Sequence, residues 1–299
     1  MLAGVLIYLA FAHLSFLEPI KPAVHSIDAI LTPGLIFMQL LLTFCKVNPR
    51  DFIFRKWHFI LLAFQLIVSS LAYILLAPIS TILAQGAMVC LICPTATAAA
   101  VITDKLGGNA GSLVTYTFLV NILAAIYVPA IFPLVNPMAD MEFIRSFLLI
   151  LSKVFPLLIC PFILSQIFRF LLPPVHRWLH THSSAAFYIW AVALAMVMGK
   201  TAKSICDHTG GYGIVFALSL VSLVVCSVQF IVGKAIGSRY NDRISAGQAL
   251  GQKNTVLAIW MAYTYLLPVT SVAPGAYVLW QNIINSYQLY KKYKRERNA

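Results

Sequence analysis

The chain has 299 residues, 61% of them hydrophobic and only 10% charged, with a net charge of +12. Soluble domains are about half apolar and about a quarter charged, so this composition, with a mean hydropathy of +0.87, requires lipid as solvent and excludes an ordinary soluble fold. At ~20 residues per crossing, the length is consumed by about ten spans, which leaves function to reside within the bundle.

The first apolar run, Leu2 to Phe16, lacks the basic segment and small-residue cleavage site of a secretory signal and reads as a retained first helix. Further apolar runs fall at 27–45, 57–77, 79–103, 112–135, 146–170, 184–205, 212–236, 244–266 and 268–289, making ten spans. With both termini cytoplasmic, fifteen of the 21 Lys and Arg lie inside, the tail Lys291, Lys292, Lys294, Arg295 and Arg297 among them. Lys21, Arg145, Lys200 and Lys203 stay outside beside Glu18, Asp140, Glu142 and Asp207. The positive-inside rule thus absorbs the basic charge into topology. It removes nucleic acid as a partner and predicts a multi-pass protein of the cell (inner) membrane, with the lipid bilayer as its main partner.

The acidic connection Asn136 to Glu142 divides the chain into 1–137 and 138–299, five spans each. An odd number makes the second half enter from the opposite side, so a repeat of the two is inverted. The fourth span is interrupted at Cys93-Pro94-Thr95-Ala96-Thr97 and the ninth at Gly251-Gln252-Lys253-Asn254-Thr255. Pro94 removes a backbone donor, and Gly251 weakens the helix while permitting close approach. Paired interruptions in inverted halves predict a mid-membrane site built from unwound backbone and half-helix termini.

By this map the nine acidic residues lie at loops, span ends or tails, which argues against a carboxylate proton relay. Lys253 stands near the middle of the ninth span, where an ammonium costs ~2.5–3.5 kcal/mol on insertion scales, and is expected to face protein or water. Lys153 lies nearer a span end and is expected to snorkel. Gln65 and Gln229 hold the same ordinal place in each half, and an amide in lipid wants a partner on a neighbouring helix. The six cysteines read as buried small hydrophobes, since Cys90-x-x-Cys93 has no second pair or nearby His to complete a zinc site. His176, His180 and His182, beside Pro173-Pro174, read as a solvated connection. No catalytic constellation emerges, and neither an enzyme nor a cofactor is expected.

These features resemble the bile acid:sodium symporter family and its wider superfamily of organic-anion carriers, which includes arsenite efflux permeases. The resemblance covers nearly the whole chain and rests on Cys93-Pro94, Thr97-Ala98, Gly108-Asn109, Gly251, Asn254, Gln65 and Pro161. It implies a panel of spans 1, 2, 6 and 7 beside a core of spans 3–5 and 8–10, whose broken fourth and ninth helices cross, with substrate between panel and core. It also implies two sodium sites at that crossing, and here the sequence departs from the pattern. Ala99 and Ala100 stand where the family's Ser-Asn pair supplies oxygens, Ala249 stands at its Glu and Lys253 at its Gln. Gln65 and Thr117 are the matched side chains still able to ligate. The site has exchanged a carboxylate for an ammonium, so Na+ is disfavoured.

The resulting expectation is a secondary carrier of an organic anion working by alternating access, with Lys253 in the place of a cation, either fixed in charge or titrating. Its crossing comprises Pro94, Thr95, Thr97, Gly251, Gln252, Lys253, Asn254, Thr255, Gln65 and Thr117. The alternatives are an arsenite-type permease and a non-transporting receptor or enzyme on the same shell. Bile acid, keto acid, pantothenate-like acid and sulfated steroid all remain open as substrate.

Overall fold

A computed structural model describes residues 2–13, 21–137, 141–208 and 211–298 of the chain. Thirteen α-helices follow one another: α1 (Leu2–His13), α2 (Lys21–Phe44), α3 (Lys56–Leu76), α4 (Thr81–Ile92), α5 (Ala99–Leu106), α6 (Ala110–Val135), α7 (Phe143–Leu171), α8 (Pro173–Thr181), α9 (Ala185–Asp207), α10 (Tyr212–Ser238), α11 (Arg243–Gly251), α12 (Thr255–Tyr265) and α13 (Val272–Asn298). Six of them (α2, α3, α6, α7, α9 and α10) are long and apolar enough to cross a membrane. Glu18 and Asp140 of the expected outer charge set lie outside the described residues, as does the end of the first apolar run.

The two expected interruptions are where helices stop and restart, at 93–98 between α4 and α5 and at 252–254 between α11 and α12. Three local features refine these expectations. The 173–181 connection is not a loop but the short helix α8, started by Pro173 at its first position, where proline's missing N–H is harmless. In it His176 accepts from Arg169 Nε at 3.4 Å; partial burial, then the Arg169 charge, hold its pKa below the ordinary imidazole value. His180 and His182 are exposed. Asp28 sits at the start of the apolar span Ile27–Phe44 as expected, but helix α2 begins earlier, at Lys21, and the carboxylate pairs with Lys200 of α9 at 2.8 Å. Third, the tail continues as helix to Asn298, and its Lys292 donates to the Lys105 carbonyl near the end of α5 at 2.8 Å.

α10 and α11 lie very close, because the bulk between them has been removed on one face. A Cβ on Gly233 would sit 2.5 Å from the Ala246 carbonyl oxygen, and one on Gly237 would sit 2.5 Å from Ala246 Cβ. Four-residue spacing of glycines gives a smooth stripe that admits a neighbouring backbone, the main source of helix attachment where no hydrophobic force operates. A second face of small residues joins α1 and α9, where Gly4 meets the Ala195 backbone. α2 packs on both α7 and α9, whereas α4 packs among α3, α10, α12 and α13. The half-helices are therefore enclosed: in α11 every residue from Ser245 to Gly251 is buried, and in α12 every residue from Thr255 to Ala262.

Overpacking this interface is expected to be costly. Gly237→Val should lower stability by about 1–3 kcal/mol, seen as an earlier melting transition in detergent, whereas Gly213→Val, where a Cβ meets nothing within 4 Å, should leave the transition nearly unmoved.

Candidate functional site

The two interruptions meet. Thr95 and Lys253 form an isolated antiparallel backbone bridge, flanked by the Ala96 N–H donating to the Gln252 carbonyl and the Asn254 N–H donating to the Pro94 carbonyl, each at 2.8 Å. A stretch that leaves the helix inside a bilayer has no water to satisfy its amides, each of which costs several kcal/mol if orphaned. Here two such stretches satisfy each other. Neither can remain irregular alone.

Side chains complete the accounting. Gln65 of α3 donates Nε2 to the Ile92 and Cys93 carbonyls at 2.8 and 3.0 Å, and its Oε1 accepts from the Tyr116 hydroxyl of α6 at 2.9 Å. In the other half, Gln229 of α10 donates to the Tyr277 oxygen of α13 at 2.9 Å and to the Cys90 carbonyl at 3.3 Å, while the Tyr277 hydroxyl donates to the Gly251 carbonyl at 2.8 Å. Each broken helix thus has a Gln–Tyr pair at the C-terminal end of its first half. Thr95 donates to the Ala249 carbonyl at 2.6 Å, and the Cys93 thiol to the Asn254 carbonyl at 3.0 Å. Asn254 caps α12, its Oδ1 accepting from the Leu257 N–H at 3.3 Å, whereas α5 starts at Ala98 with no side-chain cap.

Lys253 is 1% exposed. Its backbone N–H is held by Gln281 Oε1 at 2.9 Å, and its ammonium Nζ donates to the Leu91 carbonyl at 3.0 Å. Leu91 belongs to the last turn of α4, where unpaired carbonyls and the helix dipole concentrate negative potential. The thiols of Cys90, Cys93 and Cys226 are close enough to interact with it electrostatically, and among the described residues no carboxylate pairs with it.

The structure gathers Pro94, Thr95, Gly251, Gln252, Lys253, Asn254 and Gln65 around one crossing through these bonds. Thr97 accepts from Gln39 Nε2 of α2 at 2.9 Å, tying the interruption to a helix of the first apolar runs. Thr255 is buried at the start of α12. Thr117 is buried too, but its hydroxyl turns back to the Leu113 carbonyl of its own helix at 3.0 Å, and no hydrogen bond links it to the crossing. Ala99 and Ala249 are wholly buried; their side chains are methyl groups, and Ala249 adds the carbonyl taken by Thr95. Lys153 is exposed on α7. Sequence reasoning missed Tyr116, Tyr277, Gln39 and Gln281. The two glutamines carried the same signal as Gln65, an amide inside an apolar run, while the tyrosines were hidden among thirteen.

The family model of the SBF-like CPA transporter family matches residues 48–289, which takes in both interruptions. The chain belongs to the SBF-like CPA transporter family. It is an integral, multi-pass membrane protein of a transporter family rather than of an enzyme family. No curated protein matches it.

Removing the two side chains that meet α4's end should have opposite consequences for stability. Gln65→Leu leaves the Ile92 and Cys93 carbonyls without a partner and should cost about 1–3 kcal/mol. Lys253→Met removes an unpaired buried charge and should melt no earlier than the wild type; thermal unfolding in one detergent compares them directly.

Proposed function

We propose that the protein is a secondary carrier of an organic anion, working by alternating access without sodium, in which the Lys253 ammonium takes the position of a bound cation. The observation that carries this reading is the Nζ contact with the Leu91 carbonyl at 3.0 Å. In carriers with broken helices, unwound carbonyls and the C-terminal ends of half-helices are the oxygens that coordinate sodium. An ammonium delivered covalently to that end needs no ion from solution. The methyl groups of Ala99, Ala100 and Ala249 supply no oxygen to rebuild the lost ligand sets.

The same reading counts ten crossings in two inverted halves, with α4–α5 and α11–α12 each as one broken span, both termini cytoplasmic, and α8 as a cytoplasmic connector. The matching Gln65–Tyr116 and Gln229–Tyr277 pairs support it, since they come from the third and fifth spans of their respective halves. A panel of α1, α2, α7 and α9 beside a core of the remaining membrane helices agrees with α2 packing on α7 and α9 and α1 packing on α9. An anion is favoured as cargo because α5 presents an uncapped N-terminus at the crossing and Lys253 adds a full positive charge nearby. An arsenite-type permease fits less well, because the Cys93 thiol is buried and already donates to Asn254.

Proteoliposomes supplied externally in turn with a bile acid, a keto acid, pantothenate and a sulfated steroid test the reading. Uptake of at least one should survive replacement of sodium by choline; strict sodium dependence would sink the internal-cation idea. Lys253→Met should abolish that uptake, and Lys253→Arg should retain part of it. An unaltered pH profile in Lys253→Arg assigns the lysine a fixed charge, whereas a lost pH dependence assigns it a proton-carrying step.

A further inference from the structure

Away from the crossing, a cavity of about 740 Å³ opens where the start of α3 faces two turns, α5–α6 and α10–α11. Its volume lies in the range of small-molecule sites. None of the crossing residues lines it, and it is walled by Arg55, Gly108, Asn109, Asp242 and Arg243 among others.

Its shape follows from local backbone. Gly107 ends α5 with φ of 84°, and Asn241 turns the chain between α10 and α11 with φ of 55°, a conformation asparagine tolerates better than other side chains. The first turns of α6 and α11 consequently converge on one space, and the Asn109 N–H is fixed by Ser245 Oγ at 2.8 Å, joining the two turns.

The charge balance is positive. Asp242 is 6% exposed and its Oδ2 is already taken, accepting from Trp57 Nε1 at 3.1 Å and facing Arg55 Nη1 at 3.4 Å. The Arg55 Nε is buried with no partner. Arg243 has no ion-pair partner among the described residues, whereas the nearby Lys292 is paired with Glu296 at 3.4 Å. The wall thus holds two guanidiniums, Arg55 and Arg243, against the single carboxylate of Asp242, a surplus of positive charge suited to an anion.

We propose that this cavity is a second anion site that binds a phosphoryl group, clamped between Arg55 and Arg243. Guanidinium forks match phosphate oxygens in pairs. The occupant is either a soluble phosphate compound or the headgroup of an anionic phospholipid. Bound there, it ties the α5–α6 turn of one half to the α10–α11 turn of the other, at the root of both broken helices.

The full chain in nanodiscs of phosphatidylcholine, titrated with inorganic phosphate against sodium chloride at equal ionic strength, tests the soluble source. Phosphatidylglycerol nanodiscs without phosphate test the lipid source. A saturable rise in melting temperature in either arm supports the site and identifies its source, provided Arg243→Gln weakens it roughly ten- to a hundredfold and, without phosphate in phosphatidylcholine, melts where the wild type does. No stabilisation in either arm, or an Arg243→Gln response equal to the wild type, overturns it. Should Arg243→Gln fail to fold, Arg243→Lys decides: it keeps the charge but loses the fork, and an affinity equal to that of the wild type rejects the guanidinium clamp.

Discussion

A polypeptide that unwinds inside a membrane must find partners for every amide it releases, and in this protein the two unwound stretches are each other's partners. The short antiparallel contact of Thr95 with Lys253, with its flanking bonds from Ala96 and Asn254, is the knot from which the remaining architecture is hung. It fixes how α4, α5, α11 and α12 point, so four half-helix ends converge on one small region. Around it the glutamines and tyrosines have little freedom. Each bonds a carbonyl that the broken helix cannot pair or a partner amide that does, because hydrocarbon offers no substitute.

That constraint explains how a lysine is tolerated at full burial. An ammonium in the interior usually needs a carboxylate, yet Lys253 has a helix end instead. The carbonyl of Leu91 and the dipole of α4 stabilise positive charge, and the thiols of Cys90, Cys93 and Cys226 interact with it. One carbonyl accepts only one of the three ammonium donors. Such a group is suited to bias two arrangements of the crossing, since its energy changes steeply with what lies next to it.

Attachment between helices follows the same economy. Apolar side chains gain nothing by leaving lipid for protein, so contact is made where side chains are smallest. Gly233 and Gly237 let α10 reach the backbone of α11, and α11 is the half-helix that ends at Gly251, one residue before the interruption. Close packing there sets the depth of the crossing as firmly as the hydrogen bonds do.

The sequence by itself determined that the chain lives in lipid, where its long helices run, and that the fourth and ninth apolar runs break at Pro94 and after Gly251. Those properties are written in local chemistry: hydropathy over twenty residues, a missing N–H, a missing Cβ. It also singled out Lys253, because a charge far from either end of an apolar run is visible without coordinates. Only the tertiary structure decided what each buried polar group would touch. Tyr116 and Tyr277 look like any aromatic residues in an apolar helix, Thr117 looks like a ligand until its hydroxyl is seen returning to Leu113, and nothing in the sequence pairs Asp28 with Lys200. Hydrogen bonds between residues far apart in the chain depend on how helices cross, and one sequence records each helix but not the angle at which it meets the next.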